Sequence, residues 1–275
     1  MIRCLAIDID GTLLDSEGRI PEENRTAIAA ALARGVEVTI VTGRAFHTAR
    51  KIAERLGLPV RLIVSNGALV KEADGTTLVR RLLPTAVARD VLESTLDYRP
   101  DAAVIFDRPL ERQVIGGGMN WQHPSRAGYW ARNQAIIAEV LPLEASLIED
   151  PIQVMFNGQL SRMRELAGRL RGRDCYEVTI TEYAARDFSL VDVLGAGVSK
   201  GTTLTEWATG RGYTRDELMA VGDNYNDAQM LAAVGRPVVM GNAVPELIAA
   251  GYARTGTNDE AGLAQAINRF ILIDD

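Results

Sequence analysis

Two aspartates interrupt an aliphatic run near the start of the chain, in the sequence LAIDIDGTLL at residues 5–14. Successive residues of a strand point to opposite faces, so the side chains of Asp8 and Asp10 can point the same way. A buried ionised carboxylate is unfavourable unless a partner compensates its charge. The pair therefore predicts a cation close to the end of this strand.

Further polar residues follow other predicted strands of the chain. Thr42 occurs in VTGR, Asn66 in SNGA, and Asp223 and Asp227 in GDNYND, while Lys200 opens a predicted helix in GVSKGTTL. In open α/β sheets, ligands bind beyond the carboxyl ends of the strands. The free backbone N–H groups at a helix start favour an anion beside the lysine. These residues are therefore expected to converge on one site.

The predicted site suits a divalent cation together with a phosphate group. Mg²⁺ prefers a few carboxylates, with water and substrate oxygens completing its coordination. A zinc site is not indicated, because His47 and His123 are isolated and Cys4 and Cys175 are far apart in sequence. We expect Mg²⁺ and Lys200 to compensate the buried aspartates.

Strands and helices alternate at both ends of the chain. The first part predicts strands at 2–8, 36–41 and 60–64 and helices at 21–35 and 45–57. The last part predicts helices at 199–210, 226–235 and 243–251 and strands at 218–223 and 237–241. This alternation indicates an α/β fold with a doubly wound, parallel, Rossmann-like sheet.

The middle of the chain has a different pattern. A helix from Thr85 and another opened by Ser161 are interspersed with strand-like runs of antiparallel character at 102–106, 112–118, 152–157 and 176–183. We therefore predict a core formed by residues 1–83 and 188–275, with a smaller α+β domain inserted at 84–187.

Composition limits the kinds of partner. The 275 residues carry a formal net charge of −6, which disfavours an extended nucleic-acid surface. No apolar run approaches the roughly 20 residues that cross a bilayer, and the start of the chain resembles a strand and not a secretory leader. Together with two cysteines expected to be reduced, this predicts a cytoplasmic protein that binds neither nucleic acid nor membrane. The sequence indicates no particular oligomeric state.

The motifs DIDGT, VTGR, SKG and GDNYND, in this order, resemble those of the haloacid dehalogenase-like (HAD) phosphatases. The insertion, preceded by SNGA, and the later segments VVMGNA and TNDEAG are similar to the Cof-type branch, in which the insertion is a cap. The resemblance spans residues 5–265. It implies a Mg²⁺-dependent phosphatase that acts on small phosphomonoesters, such as sugar phosphates or related phosphorylated metabolites.

The resemblance also implies roles for the core motifs. Asp8 attacks phosphorus to form an aspartyl-phosphate, and Asp10 protonates the leaving oxygen and then deprotonates water. Thr42 donates a hydrogen bond to the phosphoryl group. Lys200 holds Asp8 and offsets phosphoryl charge.

The same resemblance implies a metal site and substrate contacts. The implied metal site includes Asp8, the Asp10 backbone carbonyl and Asp223, with Asp227 either a ligand or a residue that orients one. The implied substrate-contact set is Gly43, Arg44, Asn66 and Asn226, of which Asn226 also fixes its loop.

Several alternatives stay open on the sequence. Thr42 would also suit a helix cap, and Arg44 would also suit a solvated helix start. A phosphomutase would use the same aspartates, and a binding or assembly factor could keep the fold without turnover. The intact set of acidic residues, threonine and lysine argues against the binding factor.

Overall fold

The computed structural model describes residues 1–109 and 111–273, which form two compact units. One unit combines residues 1–80 with the described residues from 199 onward, and the other is the continuous stretch Arg81–Val198. The strands are β1 Cys4–Ile7, β2 Glu37–Val41, β3 Arg61–Val64, β4 Leu69–Lys71, β5 Thr77–Arg80, β6 Ala102–Ile105, β7 Val114–Gly116, β8 Ile137–Glu139, β9 Gln153–Gly158, β10 Tyr176–Tyr183, β11 Phe188–Gly195, β12 Leu218–Gly222, β13 Arg236–Val239 and β14 Ala253–Arg254. The α-helices are α1 Glu22–Ala33, α2 Phe46–Leu56, α3 Thr85–Ser94, α4 Pro124–Asn133, α5 Leu160–Leu170, α6 Lys200–Gly210, α7 Ala228–Ala233, α8 Pro245–Ala249 and α9 Gly262–Ile267.

The first unit, which we call the core unit, is built on an eight-stranded sheet. Its strand order is β14-β13-β12-β1-β2-β3-β4-β5. The pairs from β14 to β3 are parallel, which confirms the predicted α/β core. All four residues of β1 are buried, and β1 lies between β2 and β12. The carboxyl ends of these three strands therefore meet at one edge of the sheet.

The last two strands at one edge of the core sheet form antiparallel pairs, and β4 alone of these two runs against the parallel strands. β4 pairs antiparallel with β3, and β5 pairs antiparallel with β4. These two strands are not among those predicted from the sequence. The signal for the hairpin that they form is the Asp74–Gly75 pair between two short β-prone runs, because a left-handed glycine (φ 101°) permits the tight turn.

The second unit, which we call the inserted unit, contains a six-stranded sheet in the order β10-β11-β9-β6-β7-β8. Neighbouring strands are antiparallel except β7 and β8. β11 pairs with β10 along its whole length, from Phe188 to Gly195.

The second boundary of the inserted unit differs from the expected one. The structure divides the chain after Val198, whereas the sequence suggests a boundary after residue 187. β11 accounts for the difference, because its aliphatic run suits either sheet and its pairing with β10 and β9 assigns it to the inserted unit. At the other boundary, the division after Arg80 lies close to the expected residue 83.

Within residues 1–109 and 111–273, no helix combines the length and the apolar character required to span a membrane.

Candidate active site

Lys200 joins two carboxylates inside the core unit. Its Nζ donates to Asp8 Oδ1 at 2.6 Å and to Asp227 Oδ1 at 2.7 Å. The Lys200 side chain is fully buried, and the residue is the first of α6. Ser199 caps this helix, because its hydroxyl accepts from the Thr202 N–H at 3.1 Å. The lysine is thus held where β1, α6 and the loop after β12 meet.

Three acidic side chains form a buried group at this place. Each of Asp8, Asp223 and Asp227 offers an oxygen that lies within 4.8 Å of the other two. Burial raises the pKa of Asp8 to about 7; Lys200 opposes the shift, and the charges of Asp227 and Asp10 add to it. Burial and the negative charges of Asp8 and Asp227 raise the pKa of Asp223 well above its ordinary value.

The charge balance of this group fits a bound cation. Burial alone would lower the pKa of Lys200, but the charges of Asp227 and Asp8 outweigh burial and raise it. Lys200 therefore supplies one positive charge against three buried carboxylates. All the donor atoms are carboxylate oxygens, which a hard divalent cation such as Mg²⁺ prefers.

Asp227 and Asp223 differ in how the chain uses their oxygens. Asp227 Oδ2 accepts from the backbone N–H groups of Asp223 and Asn224, each at 3.0 Å, and Oδ1 accepts from Lys200. Both oxygens of Asp227 are therefore engaged by donors of the protein. Asp223 Oδ1 accepts a hydrogen bond from Thr12 Oγ1 at 3.1 Å. Sequence reasoning gave Thr12 no role, although it is the last residue of the DIDGT motif.

The turn after β1 touches the acidic group directly. Gly11 has φ +79°, and a Cβ added there would lie 2.3 Å from Asp223 Oδ2. Asn242 Nδ2 donates to the Gly11 carbonyl at 2.9 Å, and Asn258 N–H donates to Asn242 Oδ1 at 2.9 Å. Asn258 Nδ2 also donates to the Leu14 carbonyl at 3.0 Å. The GNA and TND segments noted in the sequence therefore support this turn.

Asp10 lies outside the acidic group that the described residues form, and it pairs with Arg44. Arg44 Nε donates to Asp10 Oδ2 at 2.7 Å, and Nη2 donates to Oδ1 at 2.6 Å. Such a bidentate pair fixes the orientation of the carboxylate as well as its charge. About one third of each side chain is exposed, 32% for Arg44 and 34% for Asp10. Arg44 thus lies before the N-cap of α2, partly exposed and paired with Asp10.

The remaining predicted residues gather around Thr42. This residue is buried just after β2, and its Oγ1 accepts from the Arg44 N–H at 3.1 Å. It does not cap α2, because Ala45 occupies that position. Asn66 Oδ1 accepts from Asn226 Nδ2 at 3.0 Å. A Cβ at Gly43 would lie 2.9 Å from that Asn66 oxygen, so these residues are closely packed.

The fold agrees with comparisons to known proteins. Residues 5–267 match the haloacid dehalogenase-like hydrolase family, and the chain belongs to it. It is an enzyme of the HAD-like phosphatase class, as the motif order predicts.

Two curated relatives are phosphatases. The 5-amino-6-(5-phospho-D-ribitylamino)uracil phosphatase YcsE of Bacillus subtilis is 31% identical over 271 residues, which cover 98% of this chain and 96% of that protein. An HMP-PP phosphatase of Serratia proteamaculans is 32% identical over 251 residues, which cover 90% of this chain and 86% of that protein.

Solved structures share the fold over nearly the whole chain. A haloacid dehalogenase-like hydrolase from B. subtilis has a TM-score of 0.82 at 24% identity and covers 98% of this chain and 100% of that chain. The HAD subclass IIB sugar phosphatase BT4131 has a TM-score of 0.78 at 23% identity, with the same coverage of both chains.

Proposed function

We propose that this protein is a Mg²⁺-dependent phosphatase that hydrolyses small phosphomonoesters through an aspartyl-phosphate on Asp8. The observation that carries the proposal is the buried Lys200 ammonium shared between Asp8 and Asp227, with Asp223 beside them. A lysine and a cation at this place would offset the charge that phosphoryl transfer concentrates on the phosphoryl oxygens.

The proposed first step uses Asp8 and Asp10. A carboxylate oxygen of Asp8 forms a bond to phosphorus as the bond between phosphorus and the leaving oxygen breaks. Asp10 gives its proton to that leaving oxygen, which departs as an alcohol. In the second step Asp10 removes a proton from water, whose oxygen attacks phosphorus and releases phosphate and a free Asp8.

Other residues hold the reacting groups in place. Lys200 fixes the position of Asp8 through the 2.6 Å hydrogen bond. Thr42, buried just after β2, supplies a hydroxyl donor for a phosphoryl oxygen. Arg44 orients the Asp10 carboxylate through two hydrogen bonds. At least one of these bonds must break or lengthen before Asp10 can carry a proton.

The metal would be held by Asp8, by Asp223 and by the backbone carbonyl of Asp10. When bound, Mg²⁺ supplies positive charge that offsets the carboxylates and the phosphoryl group. We propose that Asp227 does not bind the metal directly and instead orients Lys200 and the loop after β12. Lys200 and two backbone N–H groups already donate to its two oxygens.

We propose a small phosphorylated metabolite as the substrate, with the inserted unit as the element that selects it. The two relatives are named for different phosphorylated metabolites, so membership of the family is compatible with several substrates. The core residues described above act on the phosphoryl group and leave the rest of the substrate to other parts of the protein.

The proposal is tested by trapping and by substitution. Purified protein should release phosphate from a chromogenic ester with Mg²⁺ and lose this activity in EDTA. Asp8→Asn should abolish turnover while keeping the fold, because an amide cannot form the acyl phosphate. Beryllium fluoride, a phosphoryl mimic, should bind to Asp8 in the wild type.

A matched control is Asp174→Asn, which makes the same change at an exposed position of the inserted unit. It should retain wild-type turnover. A beryllium fluoride adduct on another residue, or near-normal turnover of Asp8→Asn, would contradict the proposed mechanism. A panel of phosphorylated metabolites, including the substrates named for the two relatives, would then identify the substrate.

A further inference from the structure

The turn Ser65–Gly67 has a strained backbone at the centre of the core unit. Its three residues have φ values of 50°, 53° and 102°, and the first two, Ser65 and Asn66, are not glycine. A left-handed conformation costs an L-residue roughly 1–2 kcal/mol. Both residues are also buried. Such strain persists only where the surrounding structure imposes it, so the contacts of the turn must hold it in this conformation.

The backbone of the turn holds the loop that follows β2. Ser65 N–H donates to the Arg44 carbonyl at 2.9 Å, and Asn66 N–H donates to the Thr42 carbonyl at 3.0 Å. The segment that carries the proposed phosphoryl donor Thr42 is thus bound at both of its ends.

The last residue of the turn holds the start of α6. The Gly67 carbonyl accepts from Thr203 Oγ1 at 2.8 Å. A Cβ at Gly67 would lie 2.3 Å from the Ser199 carbonyl oxygen, so glycine is required for this approach. Lys200 is the next residue after Ser199, and its backbone position therefore depends on the turn.

The side chain of Asn66 reaches the loop after β12. Its Oδ1 accepts from Asn226 Nδ2 at 3.0 Å, and Asn226 lies between Asp223 and Asp227 in sequence. This hydrogen bond joins two side chains, whereas the hydrogen bonds of the turn to Thr42, Arg44 and Thr203 use its backbone. The Asn66 side chain can therefore be altered while the rest of the turn is kept.

We infer that Asn66 is a positioning residue, which acts through Asn226 on the loop that carries Asp223 and Asp227, and not a substrate contact. The inference rests on the proposed function. The left-handed turn brings the Asn66 side chain to this loop while its backbone holds the other two segments of the site. A substrate contact would chiefly affect binding, whereas a positioning residue affects the chemical step.

The test compares Asn66→Gly with Ser65→Gly. Glycine accepts positive φ at either position, so both variants should fold, and only Asn66→Gly removes the bond to Asn226. We expect kcat to fall about 10- to 100-fold in Asn66→Gly, with KM changed less than about twofold. Ser65→Gly should keep both values close to wild type.

A double-mutant cycle and hydrogen exchange complete the test. The losses from Asn66→Gly and Asn226→Ala should not add, because each removes the same bond. Without any substrate, amides of residues 223–227 should exchange faster in Asn66→Gly than in the wild type or in Ser65→Gly.

Each contrary result has a distinct meaning. A raised KM at unchanged kcat would make Asn66 a substrate contact and would overturn the inference. Equal losses in the two glycine variants, or unchanged exchange at 223–227, would also overturn it. An inactive wild type would contradict the proposed function, and the exchange measurement would still decide the role of Asn66.

Discussion

At the scale of single residues, the carboxylates that would bind a metal repel one another and lower the stability of the folded protein when no metal is bound. Asp8, Asp223 and Asp227 are buried together, and Lys200 balances only part of their charge. Burial beside the negative charges of Asp227 and Asp10 favours the protonated form of Asp8 and, against the opposing charge of Lys200, raises its pKa to about 7. A bound divalent cation would reduce this repulsion, so that metal binding would stabilise the folded state.

The first prediction concerns pH in the absence of metal. The pKa of Asp8 is raised in the folded protein from 3.8 to about 7, so the folded state binds this proton more tightly than the unfolded state. Its contribution to stability is complete below about pH 4 and is lost as pH rises through 7. In EDTA, the free energy of unfolding should therefore fall by on the order of 1–3 kcal/mol between pH 5 and 8. Denaturant unfolding at several pH values measures this change.

Mg²⁺ should reverse that trend, because it binds the deprotonated carboxylates. The increase in melting temperature caused by Mg²⁺ should grow from pH 5 to pH 8. Asp223→Asn should be more stable than the wild type in EDTA at pH 8 and should gain little from Mg²⁺, whereas Asp174→Asn should behave as the wild type. A Mg²⁺ effect that is independent of pH would contradict this coupling.

The second prediction concerns proton transfer by Asp10. Asp10→Asn should slow hydrolysis of an alkyl phosphate by about 10²- to 10⁴-fold, the usual effect of losing a positioned acid or base. The loss should be smaller for nitrophenyl phosphate, whose leaving group needs no proton. Rates measured on both esters give the comparison, and Asp8→Asn, which removes the nucleophile, should lose both activities alike. Equal losses on the two esters in Asp10→Asn would show a different role for Asp10.

At the scale of elements, the turn after β1 determines where Asp223 can lie. Gly11 has positive φ, and its missing side chain leaves the space that Asp223 occupies. Asn242 and Asn258 hold the same turn from the other side. The turn that follows the proposed nucleophile Asp8 is therefore packed closely against the proposed metal ligand Asp223.

The third prediction compares two left-handed glycines. Gly11→Ala should displace Asp223, since the new Cβ would lie 2.3 Å from its Oδ2, and the Mg²⁺ concentration for half-maximal activity should rise at least tenfold. Gly18 has a similar φ of +75° with open space around it. Gly18→Ala should therefore lower stability by about 1 kcal/mol and leave the Mg²⁺ requirement unchanged. Mg²⁺ titrations and thermal melts of both variants measure these effects, and similar Mg²⁺ requirements would contradict the proposed cause.

The sequence predicts the parallel part of the core well, because alternation of buried strands and helices is a local pattern. The edge hairpin β4–β5 and the membership of β11 depend on pairing, which local patterns do not show. The same distinction holds for the site. Residue types predicted Asp8, Lys200 and Asp223, whereas the Arg44–Asp10 pair and the Asn66–Asn226 bond join segments that only the folded chain brings together.

At the scale of the whole molecule, the two units have separate tasks in the proposed enzyme. The core unit carries the groups that act on phosphate, and the inserted unit Arg81–Val198 is a continuous stretch with its own sheet. If the inserted unit selects the substrate, as proposed, substrate preference could change with the insertion while the chemistry of the core unit stays the same.

The fourth prediction tests this division by exchange. Replacing residues 81–198 with the corresponding insertion of the B. subtilis relative should transfer the relative's ranking of phosphorylated metabolites. Hydrolysis of nitrophenyl phosphate should stay within a few-fold of wild type, because the core residues are unchanged. The control is a variant that keeps residues 81–198 of this protein but carries the same junction changes as the chimera. A chimera that is active but keeps the original ranking would assign selection to the core unit.

The strand order of the core sheet also has a consequence for synthesis on the ribosome. β1 lies between β2 and β12, and 192 residues separate Asp8 from Lys200. At about 5–20 residues per second, roughly 10–40 s pass between the synthesis of these two residues. Throughout that interval one edge of an aliphatic strand has no neighbour, and the nucleophile has no ammonium partner. The inserted unit is finished before α6 and β12 are made, so the part of the chain made first is among the last to complete its sheet, and its open strand edge is able to pair with other chains until then.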